Sequence, residues 1–227
     1  MSKKGKKYLE IEKKFEKKEH LPEEAIELIK QTSNRNFEET LESAIALNIK
    51  PKQKGERVRG TVILPRGLGK KIRVLVFAAG DEGEEAKKAG ADFVGGKDFV
   101  EKVENGWLDF DAVVSTPQLM RTVAKLGRIL GPRGLMPSPK VGTVTDNPAK
   151  VVKELKKGKI EYRNDATGVI HAPIGKVFFE GEALLENFHT LLKALEQDKP
   201  STVKGRYVKS IHLSSTMGPS VKIKWSG

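Results

Sequence analysis

The feature that most constrains the fold is a periodicity of apolar residues that changes twice along the chain. Residues 37–49 (FEETLESAIALNI) and 58–64 (VRGTVIL) alternate apolar and polar side chains, which is typical of half-buried strands. Ile72–Ala78 (IRVLVFA) is instead a nearly continuous apolar run, as expected for a strand that is buried on both faces. After Gly158 the alternation returns in several short runs. The sequence therefore predicts two different kinds of β-structure in one chain.

The middle of the chain alternates short apolar strands with helical segments. The predicted elements are strands at 72–78, 91–94 and 112–114 and helices at 81–89, 97–104, 118–125 and 147–157. Such alternation predicts a small three-layer α/β unit in which the strands pair mostly in parallel.

The two ends of the chain resemble each other in pattern and in charge. After Gly158 the predicted elements are strands at 160–163, 169–172, 176–179, 207–213 and 220–225 and a helix at 183–196. We therefore expect an α/β protein of two domains, with the first domain built from residues 1–66 and 159–227 and the second inserted as residues 67–158. Two consecutive domains remain possible, because alternation alone does not show which strands pair.

The positive charge of the chain is unevenly distributed. The 42 Lys and Arg residues exceed the 30 Asp and Glu residues by 12, and residues 199–227 contain no acid. A solvated surface explains any single basic run, but several such runs on one face would attract a phosphate backbone. Prolines interrupt the basic runs, so a membrane-surface helix is not expected. The chain contains no Cys and no apolar N-terminal signal, so we expect a cytoplasmic protein.

The residues of an enzyme site are largely missing from the sequence. The nearest match to a phosphate-binding loop, ADFVGGKD at 91–98, has Ala in place of the first Gly and Asp98 in place of Ser or Thr. The four His residues are scattered, and no nucleophile elbow occurs. No cofactor or metal is therefore predicted, although a nucleotide-dependent enzyme that uses the inserted α/β domain remains the alternative.

Two segments have unusual compositions. Residues 127–141 (GRILGPRGLMPSPKV) combine three Gly and three Pro with basic residues, which predicts an ordered loop. That loop either locks its domain to neighbouring structure or offers backbone amides and cations to phosphates. Residues 214–219 (SSTMGP) join two predicted strands and contain hydroxyls, a flexible Met and a Gly. This turn is either purely structural or an RNA contact.

These segments, together with VRGTVILPRGLGK at 58–70 and RNDATGVIHAPIGK at 163–176, resemble the family of bacterial large-subunit ribosomal protein L-one. The resemblance extends over essentially the whole chain. It implies a discontinuous first domain, a Rossmann-like inserted second domain, and binding to the stalk of 23S rRNA beside the tRNA exit site. It also implies help in releasing deacylated tRNA, repression of the protein's own operon by binding a similar mRNA structure, and a monomer off the ribosome.

The resemblance also assigns an RNA site, residue by residue. The predicted first-domain contacts are Phe37, Thr40, Glu42, Arg163, Asp165, Thr167, Ser210, Thr216, Met217 and Gly218. Asn36 and Ala166 stand where some relatives have Lys, and Lys6, Lys7 and Arg35 are expected to compensate. Phe37 is either a core residue at a strand end or an RNA contact. Arg133 and Lys140 are expected to form a secondary RNA contact in the second domain.

Overall fold

The chain forms two compact units. The computed structural model describes residues 8–9, 11–12, 15, 18–33, 36–51, 57–203 and 205–225. The first unit comprises Met1–Gly69 and Ile160–Gly227, and the second comprises Lys70–Lys159. That the two parts are domains able to fold independently stays a prediction.

The described strands, numbered in chain order, fall into three sheets. They are β1 (Thr40–Leu47), β2 (Arg59–Ile63), β3 (Val74–Phe77), β4 (Phe93–Gly95), β5 (Ala112–Ser115), β6 (Lys159–Arg163), β7 (Val169–Lys176), β8 (Val208–Ser215) and β9 (Val221–Ile223). A four-stranded sheet has the order β7-β1-β8-β9, and each of its neighbouring pairs is antiparallel. Strands β2 and β6 form a two-stranded sheet. The remaining strands form a three-stranded sheet of order β4-β3-β5.

The described helices are likewise numbered in chain order. They are α1 (Pro22–Thr32), α2 (Asp81–Lys88), α3 (Lys97–Glu104), α4 (Met120–Val123), α5 (Gly127–Leu130), α6 (Pro148–Lys156) and α7 (Gly181–Gln197). Short 3₁₀ turns cover Ala124–Leu126 and Pro139–Val141. None of the helices within the described ranges is long and apolar enough to cross a bilayer.

The core of the first unit lies on one face of the four-stranded sheet. Apolar side chains of α1 and α7 pack there against alternate residues of the central strand, including Leu41 and Ile45. Helix α1 begins with Pro22, whose fixed backbone angle suits a first helical turn, and acidic residues follow near the positive end of the helix dipole. On the other face, the described residues include exposed side chains such as Glu42 of β1 and His171 of β7, so the packing determines which residues can meet a partner.

The second unit has three layers. Its three strands are parallel, and all four residues of β3 are buried, as predicted for a strand covered on both faces. Leu75 and Phe77 pack with α3, α4 and α5, whereas Val74 and Val76 pack with α2 and α6. The predicted α/β class is therefore confirmed.

Several sequence-based assignments differ from the structure. The predicted strand 169–172 continues through Pro173 to Lys176 as one strand, β7, because this edge strand tolerates Pro173 where a central strand would need its missing N–H. The predicted strand 176–179 is wrong, since residues 177–179 form a turn after β7. The segment 127–141 is not a loop throughout, since it opens with helix α5 and ends in a 3₁₀ turn. The predicted helix 118–125 is also shorter, and its last residues enter the 3₁₀ turn Ala124–Leu126.

Candidate nucleic-acid interface

The site that the sequence predicts for the first unit is arranged along β1. Leu41, Ser43, Ile45 and Leu47 face the core, so the alternate residues from Thr40 to Ala46 face outward. Ser210 lies opposite Ala46 on β8, on the same outward face. An eight-residue strand is roughly 25 Å long at about 3.4 Å per residue. The outward face therefore connects two turns, one at each end of the strand.

The turn 216–218 is fixed to the start of β1. The backbone N–H of Thr40 donates a hydrogen bond to the Thr216 hydroxyl oxygen at 3.0 Å. Gly218 donates from its backbone N–H to the Ser215 carbonyl at 3.2 Å, and a Cβ atom at Gly218 would lie 2.5 Å from the Ser215 hydroxyl. Thr216 therefore has a structural role, and the glycine is needed for the close approach.

Glu39 connects the turn 216–218 to the turn that follows β7. Its side chain is only 3% exposed, and its Oε2 accepts a hydrogen bond from the Met217 backbone N–H at 3.3 Å. Its backbone carbonyl accepts from the Val177 N–H at 3.0 Å, in the turn that follows β7. The sequence analysis did not select Glu39, although its position in the alternating run 37–49 placed it on the buried face.

Phe37 and Met217 are exposed beside these contacts. Phe37 lies before β1 begins and is 52% exposed, and Met217 is 51% exposed. The core alternative for Phe37 is therefore wrong. Two large apolar side chains lie in solvent at one end of the outward face, where they are available to a partner.

The turn 165–168 lies at the other end of β1. Asp165 Oδ1 accepts hydrogen bonds from the backbone N–H groups of Thr167 at 2.8 Å and Val169 at 2.9 Å. The Thr167 hydroxyl also donates to Asp165 Oδ1 at 2.7 Å. These bonds, that from Val169 first, lower the pKa of the Asp165 carboxyl below its usual value. The Gly168 carbonyl accepts from the Leu47 N–H at 2.9 Å, which attaches the turn to the end of β1.

The structure thus distributes the predicted first-unit residues over one strand face and the turns at its ends. Arg163 is exposed at the end of β6, just before the Asp165 turn. Thr40 and Glu42 lie along β1 between the two turns, and Glu42 is exposed. Lys6 and Lys7 lie outside the described residues, as does Arg35.

Several further side chains share the outward face. His171 on β7 and His212 on β8 lie on either side of Ala44, and Ser214 lies opposite Glu42. Burial and the nearby Lys222 ammonium lower the pKa of His212. The two His residues were not predicted from the sequence, although His212 has the same parity along β8 as the selected Ser210. Ser214 was predicted as part of the turn 214–219, whereas the structure places it in β8.

The second unit contains a long segment without acids. From Ala112 to Thr145 the chain has no Asp or Glu, and all of its basic residues are exposed: Arg121, Lys125, Arg128, Arg133 and Lys140. None of them forms an ion pair with a residue in the described ranges. Arg133 follows α5, and Lys140 lies in the 3₁₀ turn 139–141. This segment presents uncompensated positive charge, as a polyanion requires.

Several backbone amides of that segment form internal hydrogen bonds. The N–H groups of Gly131, Gly134 and Leu135 donate to carbonyls of residues 127, 131 and 130 at 3.0–3.1 Å. These three amides are therefore not the ones that a phosphate would meet, because they close a tight turn after α5. That other amides of the segment bind phosphates stays a prediction. The exposed cations of the segment remain available to an anionic partner.

Comparison with known families agrees with this arrangement. A family model described as the ribosomal protein L1p/L10e family matches residues 29–219. The match includes β1, both turns at its ends and the whole second unit. The chain therefore belongs to the ribosomal protein L1p/L10e family, and it is a ribosomal protein that binds the RNA of the large subunit.

Proposed function

We propose that the chain binds the stalk region of large-subunit rRNA beside the tRNA exit site, with the outward face of β1 and its two end turns as the main contact. The observation that carries this proposal is the convergence of distant segments, around residues 40, 165 and 216, on one strand face of roughly 25 Å. A face of this length matches about one turn of an RNA helix, and its hydroxyls suit ribose and phosphate contacts.

The turn 216–218 should contribute more specificity than any single lysine. Lysines meet phosphates as similar point charges, so the loss of one weakens all RNAs alike. We expect Thr216→Ala and Met217→Asp to weaken binding of a stalk rRNA fragment about ten-fold or more, and to weaken binding of generic duplex RNA much less.

The control is Lys193→Ala, which removes an exposed lysine from α7, a helix that packs on the opposite face of the sheet. It should leave the affinity near the wild-type value. Equilibrium titration with both RNAs measures these effects, and circular dichroism checks the fold. Wild-type affinity for both turn variants would remove the turn from the interface.

The exposed cations of the acid-free segment 112–145 are proposed to supply a secondary RNA contact, in which Arg133 and Lys140 bind phosphates. Their charge supports a sequence-independent contribution, because no acid of that segment offsets it. Arg133→Ala together with Lys140→Ala should reduce the salt dependence of binding and affect specific and generic RNA equally.

The proposal includes two further roles, one in regulation and one in translation. In the cytoplasm, the chain is proposed to repress its own operon by binding an mRNA structure similar to the rRNA stalk, and to assist release of deacylated tRNA from the exit site. If the mRNA uses the same face, the rRNA fragment must compete for it, and Thr216→Ala must relieve repression of a reporter. The tRNA role is tested by the dissociation rate of exit-site tRNA from ribosomes that lack the protein or have it added back.

The position of one cleft in the second unit argues against the alternative of a nucleotide-dependent enzyme. Phe93, Phe99, Lys102, Asn105 and Trp107 line an open cleft of about 480 Å³. Phe93 begins β4, and Asn105 and Trp107 lie between the end of α3 and β5, so the cleft is at the amino ends of the parallel strands. Doubly wound sheets bind nucleotides at the opposite, carboxyl ends.

A further inference from the structure

Phe178 is the most exposed of the large apolar side chains noted in the described residues. It is 61% exposed and lies in the turn after β7, a position that the predicted RNA site does not include. Single exposed apolar residues are common and need no explanation. The surroundings of Phe178 are what distinguish it.

Phe178 is held at the same end of the sheet as Phe37 and Met217. Val177, its neighbour, donates its backbone N–H to the Glu39 carbonyl, and Glu39 Oε2 accepts from the Met217 N–H. Lys176 Nζ donates to the Glu38 carbonyl at 3.0 Å, next to Phe37. The segment 37–40 thus connects three exposed apolar side chains, which belong to three distant parts of the sequence.

The ring of Phe178 also packs against a neighbouring aromatic ring, that of Phe179. It meets the ring of Phe179 edge to face, with the centroids 5.1 Å apart and the planes at 84°. Phe179 packs against the core, and its carbonyl accepts a hydrogen bond from Lys30 Nζ at 2.6 Å. An aromatic ring that is braced on one side and exposed on the other loses little entropy when a second planar group stacks on it.

We propose that Phe178 stacks on an unpaired nucleobase of the RNA that the first unit binds, as a third apolar contact beside Phe37 and Met217. This inference rests on the proposed function. An unpaired base is the favoured occupant because the patch continues the proposed RNA interface. Two ammonium groups also lie close by, since Lys30 Nζ donates to the Phe179 carbonyl and Lys176 Nζ donates to the Glu38 carbonyl, and such cations attract a phosphate backbone. Glu38 and Glu180 are also exposed nearby, so stacking rather than net charge must supply the affinity.

The test compares three substitutions at Phe178 in the full chain, titrated with a stalk rRNA fragment. Phe178→Ala should weaken binding about five-fold or more, as expected when base stacking is lost. Phe178→Tyr retains a ring and should bind like the wild type. Phe178→Leu retains apolar area without a planar face and should bind nearly as poorly as the alanine variant. Ile63→Ala is the matched control, because Ile63 is 43% exposed on β2, in a different sheet, and this variant should bind normally.

A second measurement identifies the occupant. The RNA carries 2-aminopurine in place of unpaired adenines, one at a time, and the protein should quench the fluorescence at one position with Phe178 but not with Phe178→Ala. If the alanine variant binds like the wild type, or if the leucine variant does, the inference is overturned while the proposed function stands. If the wild-type chain fails to bind the fragment, the proposed function falls and this inference falls with it.

Discussion

At the scale of single residues, we expect Glu39 to influence RNA binding without touching the RNA. Its carboxylate is the acceptor for the Met217 N–H, and its carbonyl is the acceptor for the turn that contains Phe178. Glu39→Ala leaves the Met217 amide without that acceptor, at a cost of about 1–3 kcal/mol to the turn. We expect a lower free energy of unfolding in urea and an RNA affinity reduced several-fold.

The matched control for Glu39 is Glu38→Ala. Glu38 is exposed, and its contact with Lys176 uses the backbone carbonyl, which the substitution retains. Glu39→Gln, which keeps an acceptor oxygen, should recover most of the loss. Loss of a carboxylate alone would reduce repulsion from the RNA and could not lower affinity. If Glu38→Ala and Glu39→Ala lower affinity equally, then the hydrogen bond from Met217 to Glu39 does not explain the effect.

His212 makes the stability of the first unit depend on pH with a definite sign. Burial, and then the charge of Lys222, lowers the His212 pKa in the folded state, so the unfolded chain binds the proton more readily. Stability is unaffected well above pH 6.5 and decreases as the pH falls below about 6.5, the unfolded value. NMR titration should place the His212 pKa below the unfolded value of about 6.5, and Lys222→Ala should raise it. A His212 pKa at or above 6.5 would contradict the prediction.

At the scale of elements, the side chain of Asn187 connects the segment by which the chain leaves the first unit, Arg66 and Gly67, to its own helix α7 and to strand β7. Its fully buried amide accepts a hydrogen bond from the Arg66 N–H at 3.0 Å. The same amide donates to the carbonyls of Gly67 at 3.0 Å and Ile174 at 2.8 Å. Asn187→Leu removes three bonds at once, and we expect it to destabilise the chain by about 3 kcal/mol or more.

Thermal or urea unfolding measures that loss. Thr190→Ala on the same helix is the control, because its exposed hydroxyl bonds only to the Glu186 carbonyl and its removal should cost less than about 0.5 kcal/mol. Hydrogen exchange at Arg66 should also become faster in Asn187→Leu. Equal stability of the two variants would show that the amide does not hold the segment.

Elements that depend on local pattern were predicted well, and those that depend on position in the sheet were not. Strand β3 was identifiable because its apolar run needs no partner to be recognised. The continuity of β7 through Pro173 was missed, since only its position at the sheet edge makes a proline acceptable there. Phe37, Met217 and Thr216 were selected by resemblance, whereas Glu39 and Phe178 depend on hydrogen bonds between segments more than 130 residues apart, which no local pattern encodes.

At the scale of the whole molecule, the two units should differ in their share of RNA binding. A shortened protein that joins residues 1–66 to 159–227 through a short linker should fold and keep most of the affinity for the stalk fragment. The isolated 67–158 segment should bind weakly. If that segment binds better than the shortened protein, the main site has been assigned to the wrong part of the chain.

Salt dependence separates the two contributions. Log affinity should fall linearly with log salt for the full chain, with a slope that corresponds to about 4–8 phosphate contacts. The shortened protein should give a smaller slope, because it lacks the exposed cations of residues 112–145. Generic duplex RNA should compete poorly with the stalk fragment for both proteins. Identical slopes would exclude the second unit from the interface.

The order of strands in the first unit also has a consequence for biosynthesis. Strand β1 lies between β7 and β8, so its hydrogen-bonding partners are translated more than 120 residues later. At about 5–20 residues per second, the nascent β1 waits roughly 10–30 s before β8 is complete. The second unit is contiguous, so we predict that it folds during that interval. While it is being made, this ribosomal protein should therefore expose an unpaired apolar strand to chaperones, and the proposed RNA-binding face is assembled only when synthesis is nearly finished.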